Sequence, residues 1–94
     1  MRITLVQSGG FAGLRREVIV DSDRISIGEC RRLSELLERS GFFALPPRRL
    51  SGLPDVIQYR LEVDDAGRQH QITFDGESCG EELLLLIEQI EKLA

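Results

Sequence analysis

Within the stretch Val56 to Val63 the chain alternates apolar and polar residues from Ile57 onward. Ile57, Tyr59, Leu61 and Val63 fall on one face, and Gln58, Arg60 and Glu62 on the other. A period of two marks a strand with one face buried and one wetted. Asp64-Asp65-Ala66-Gly67 then supplies a turn with glycine at its end. Arg68 to Asp75 returns as a partner strand, with His70, Ile72 and Phe74 on one face. A hairpin that is apolar on one side only needs a covering layer, so helices must pack on that side.

The rest of the chain supplies a second hairpin and the cover. Residues 2–8 read as a strand with Ile3 and Leu5 on one face, and Leu14 to Val20 as another with Leu14, Val18 and Val20 on one side. Ser8-Gly9-Gly10-Phe11-Ala12-Gly13 joins them as a glycine-rich turn. Ser26-Ile27-Gly28-Glu29 is a capping-box pattern that opens a helix. Cys30, Leu33, Leu36 and Leu37 recur on its apolar face, opposite Arg31, Arg32, Glu35, Glu38 and Arg39, and Gly41 stops it. Pro46 and Pro47 end regular structure, and residues 46–55 form the longest loop. Ser78-Cys79-Gly80-Glu81 reads as a second capping box. It leads a helix from about Gly80 to Leu93, with Leu83, Leu86, Ile87, Ile90 and Leu93 as its buried stripe. The order β-β-α-β-β-α predicts an α+β fold over a single domain, residues 1–94. Its four-stranded, mainly antiparallel sheet carries two helices packed on one face.

The scarce residues exclude several kinds of chemistry. A 94-residue chain buries only about 60–65% of its unfolded surface, which leaves little room for a deep substrate cavity. Cys30, Cys79 and His70 are too few for a Cys₄ or Cys₂His₂ zinc site, so no metal or other cofactor is expected. Asp21-Ser22-Asp23 resembles the start of a calcium loop, but Ile25 and Ser26 stand where an oxygen ligand and a glycine are required. The glycine segment has no nearby lysine and no phosphate-loop spacing. The two cysteines are either free thiols or one bridge. The longest apolar run, Leu83 to Ile87, is far short of a membrane span, and the start of the chain lacks the apolar stretch of a signal peptide. The simplest address is the cytoplasm.

The formal charge is −4, and it is uneven. Residues 1–49 carry nine basic and six acidic groups, and residues 50–94 three basic and ten acidic. Net acidity argues against a nucleic-acid partner, whose phosphates need a positive field. The asymmetry suits a charge-steered protein partner. Arg15-Arg16, Arg31-Arg32 and Arg48-Arg49 are interspersed with glutamates, as on a solvated surface. Leu84 and Leu85 lie off the buried stripe of the last helix, which leaves a monomer or a weak homodimer open. No constellation of side chains points to an enzyme. His70 reads as a half-buried strand residue, and a Cys79–His70 pair would be the sole candidate for a small hydrolase.

At Ser8-Gly9-Gly10-Phe11-Ala12-Gly13-Leu14-Arg15-Arg16 the sequence resembles the emfourin family. Further resemblance lies at Gly41-Phe42-Phe43-Ala44-Leu45-Pro46, Tyr59-Arg60-Leu61-Glu62-Val63 and Gly67-Arg68-Gln69-His70. The resemblance spans nearly the whole chain and is least distinctive in the last third. It implies a small bacterial, intracellular inhibitor of a protealysin-like, thermolysin-type zinc metalloprotease. Two segments qualify for that enzyme's cleft. One is the glycine segment, Ser8 to Gly13 with Arg15 beside it, in which Phe11 is the apolar anchor. The other is the N-terminus, Met1-Arg2. Strand 2–8 separates them by about 20 Å at roughly 3.3 Å per residue, so they do not act as one wedge. The glycine segment is the favoured one, and loop 46–55 is a possible second contact. The competing class is a non-inhibitory interaction module or a folding aid for a neighbouring protease.

Overall fold

In the computed structural model, which describes residues 1–10 and 13–94, strand β1 (Arg2–Gly9) sits between two antiparallel partners. On one side it pairs β2 (Leu14–Asp21), with Leu5 opposite Val18. On the other it pairs β4 (Ile57–Asp65), with Leu5 opposite Leu61. Strand β5 (Arg68–Asp75) continues the sheet beyond β4. Ala66 and Gly67 link β4 to β5, and both have positive φ, 50° and 87°. That is the two-residue loop whose twist matches the flanking strands.

The expected sheet had four strands and was mainly antiparallel. Among the described residues the observed sheet has five strands and is mixed, in the order β2-β1-β4-β5-β3, where β3 is Arg48–Arg49. The added strand, β3, lies inside the expected loop 46–55 and runs parallel to β5. Thr73 N–H donates to Pro47 C=O at 2.9 Å, which starts the pairing. Two residues after a Pro-Pro pair carry no periodicity, so nothing in the local sequence marks them.

The two helices cover one sheet face. Helix α1 (Ile27–Ser40) opens with the expected capping box. Glu29 N–H donates to Ser26 Oγ at 3.1 Å, and Ser26 N–H donates to the Glu29 carboxylate at 3.0 Å. It closes on Gly41, whose φ of 64° is left-handed. Helix α2 (Glu81–Lys92) has no side-chain cap. The second expected capping box therefore does not form. Ser78 Oγ instead accepts from Asp75 N–H at 3.0 Å and donates to Arg49 C=O at 2.6 Å.

The core lies between sheet and helices. Ile3, Leu5, Val18, Val20, Leu61, Val63, Ile72 and Phe74 meet Leu33, Leu36 and Leu37 of α1 and Leu83, Leu86, Ile87 and Ile90 of α2. Phe42, in a 3₁₀ turn after α1, is fully buried and packs edge-on against His70 at 5.3 Å. Leu84 and Leu85 stand exposed on α2, as their angles on the helix require. Among the described residues no helix is long and apolar enough to cross a membrane.

Candidate functional site

The two segments named from sequence lie at opposite ends of β1. Met1 is half-buried with its side chain against the core. Its ammonium donates to Ser22 Oγ at 2.9 Å, and its carbonyl accepts from Ser22 N–H at 2.9 Å. Arg2 is exposed between Asp21 and Asp64 in the strand register. A hollow of about 430 Å³ at this end is bordered by Arg2, Ile19, Asp21 and Arg24.

The far end of β1 is built from glycines. Gly9 and Gly10 have φ of 85° and 75°, and Gly13 has 63°. These are left-handed values that other residues adopt at a cost. Gly10 N–H donates to Val56 C=O at 3.3 Å, which clamps the segment to the start of β4. A Cβ on Gly9 would stand 3.3 Å from the Val56 carbonyl oxygen, and one on Gly10 would stand 3.3 Å from Ile57 Cγ1. Close approach, as well as φ, therefore selects glycine here. Phe11 and Ala12, the expected anchor and its neighbour, lie outside the described residues.

Ser8, Gly9, Gly10, Gly13 and Arg15 are thus brought together, and Met1 and Arg2 are not. Sequence reasoning missed two members of the glycine end. Leu14 and Ile57 are the register partners of Gly9 on either side. They share the core-facing side of the sheet, yet Leu14 is 72% exposed and Ile57 46%. The helices do not reach this last row. Two branched apolar side chains therefore flank a bare glycine backbone. The groove they form, about 530 Å³, is rimmed by Gln7, Arg16 and Asp55. Exposed Leu53 lies four residues before Ile57. The alternation of 56–63 put Ile57 on the right face, but only tertiary coverage decides that it stays open. On the opposite face Ser8 aligns with Arg15 and Gln58, and Arg15 lies 3.8 Å from Glu17.

The remaining reactive groups are occupied. His70 Nε2 is 2.8 Å from the Leu45 carbonyl. Cys79 Sγ faces the Gly76 carbonyl at 3.8 Å, and both cysteines are free thiols. Burial pushes the Cys79 thiol up, away from the thiolate a nucleophile needs. Among the described residues no three His, Cys, Asp or Glu side chains gather as a metal site would require. Burial would raise the Asp75 carboxyl as well. Hydrogen bonds from the Ser51 N–H and hydroxyl, each at 2.7 Å, and from the Glu77 and Ser78 N–H outweigh that and hold it at about 2. Asp75 is a structural knot that ties the loop after β3 to the end of β5.

Comparison with known proteins agrees with the sequence resemblance. The Emfourin family model matches residues 5–91. No curated protein and no solved structure matches.

Proposed function

The chain belongs to the Emfourin family, and on that premise we propose that it inhibits a protealysin-like, thermolysin-type zinc metalloprotease through the glycine end of its sheet. Family membership suggests a protease-inhibitor role. The observation that carries the finer reading is the row Leu14–Gly9–Ile57, which exposes two large apolar side chains on a clamped backbone. An inhibitor must hold its contact segment rigid, so that little ordering entropy is lost on binding. A strand end tied on both sides, through the β1–β2 ladder and the Gly10–Val56 hydrogen bond, supplies that rigidity. Exposed apolar anchors beside Arg16 suit a partner surface that is apolar at its centre and acidic at its rim.

The N-terminus is the lesser candidate. Its Met side chain packs on the core and its ammonium is engaged with Ser22, so entering a cleft would break contacts already made. The expected cellular address is the cytoplasm, alongside the protease.

Titration into a protealysin-like protease assay tests the reading. Wild-type protein is expected to abolish activity at near-stoichiometric concentration. Leu14→Ala/Ile57→Ala, and separately Phe11→Ala, should each weaken inhibition at least about tenfold, near 1.4 kcal/mol. A short extension before Met1 should change it less than about threefold. Undiminished protease activity would sink the inhibitor reading in favour of a non-inhibitory module. Loss of inhibition by the extension alone would move the contact to the N-terminus.

A further inference from the structure

Strand β2 forms one edge of the sheet, and the other edge is the two-residue β3. β2 is eight residues long and contains no proline. The side on which each residue bonds follows from its ladder. Ser22 N–H donates to Met1 C=O, so the even-numbered residues of β2 direct N–H and C=O toward β1. Arg15, Glu17, Ile19 and Asp21 therefore direct theirs outward. The Gly10–Val56 bond on the other side of β1 obeys the same alternation. Among the described residues no loop or side chain bonds the outward groups of Arg15, Glu17 and Ile19, whereas the Asp21 carbonyl already opens the 3₁₀ turn Ser22–Arg24. Such a row is a template for another strand.

We propose that β2 pairs antiparallel with β2 of a second copy of this chain, across a two-fold axis at Val18. The charges select this register. A two-fold pair must keep matching faces together, so it centres on a residue. Centres at Arg16, Glu17, Val18 and Ile19 overlap at least five residues of Leu14–Asp21. At Arg16 two arginines meet, at Glu17 two glutamates meet, and at Ile19 Glu17 meets Asp21. Like charges directly opposite destabilise a pair. The Val18 centre alone avoids them. It sets Arg15 against Asp21 at both ends, Glu17 against Ile19, and Val18 against itself. It also matches outward-bonding residues with each other, so the N–H and C=O groups of Glu17 and Ile19 find partners, as does the Asp21 N–H on the Arg15 carbonyl. Arg15 is available for this exchange, because its present contact with Glu17 is a long, exposed one at 3.8 Å. The pairing would cover Ile19, which is 49% exposed in the single chain.

Sedimentation over a concentration series tests the pairing. Wild type should pass from monomer to dimer mass below about millimolar concentration. Arg15→Asp sets Asp against Asp, and Asp21→Arg sets Arg against Arg, so each alone should raise the dissociation constant at least about tenfold. An equimolar mixture of the two variants restores both opposite-charge pairs and should dimerise like wild type. Ile19→Pro removes an outward N–H without removing a bond to β1, and should leave a folded monomer. Wild type that stays monomeric overturns the proposal. So does a dimer indifferent to all three substitutions, which would place assembly elsewhere, such as Leu84 and Leu85. A mixture no better than its components, or binding only to strands of other proteins, overturns it too.

Discussion

Ala66 holds a backbone conformation that its side chain opposes. Its φ is 50°, in the left-handed region, and it precedes Gly67 at 87°. The left-handed region costs an ordinary L residue about 1–2 kcal/mol, and asparagine tolerates it best after glycine. Ala66→Asn creates the Asn-Gly pair favoured in this loop and should stabilise the fold by roughly 0.5–1 kcal/mol. A urea midpoint that falls instead would contradict the loop geometry. The turn glycine was legible in the sequence, but the strained alanine was not, since alanine signals no turn. The two Ser-x-x-Glu patterns make the same point. Ser26 meets only local partners and caps α1, whereas Ser78 is captured by Asp75 and Arg49. A cap is readable only where no distant group competes for the hydroxyl.

Among elements, the four longer strands and both helices follow from periodicity, and β3 does not. β3 exists because its neighbours are fixed: Pro47 accepts from Thr73, and Ser51 donates twice to Asp75. Asp75 therefore links an unpatterned loop to a patterned strand. This gives the fold a defined acid sensitivity. The folded carboxyl sits at about 2, below its ordinary 3.8, so the unfolded chain takes up the proton first. The stabilisation is complete above about pH 4 and is lost as pH falls toward 2. Urea unfolding at several pH values should show wild-type stability declining through that window. Asp75→Asn should be less stable than wild type at pH 7, and its decline should be shallower. Equal slopes in the two proteins would mean that other carboxylates carry the acid response.

At the scale of the molecule, one face of the sheet is part covered and part open, and the length of the helical cover sets the border between them. Rows through Leu5 and Ile3 lie under α1 and α2, and the row through Gly9 lies beyond them. Leu61 and Ile57 thus share a strand, a face and an apolar character, yet Leu61 is fully buried and Ile57 half exposed. Sequence parity treats them alike, which is why the core was legible and the apolar walls of the groove were not. The distinction is measurable. Leu61→Ala opens a cavity among Leu5, Ile72 and the helices and should cost about 2–5 kcal/mol in urea unfolding. Leu14→Ala/Ile57→Ala removes side chains that already face solvent and should shift stability by no more than about 0.5 kcal/mol per residue. On the proposed function the double variant should nevertheless inhibit at least about tenfold more weakly, because it removes contact area for the protease. If instead it unfolds like Leu61→Ala, the row belongs to the core and the glycine end is not a surface built for binding.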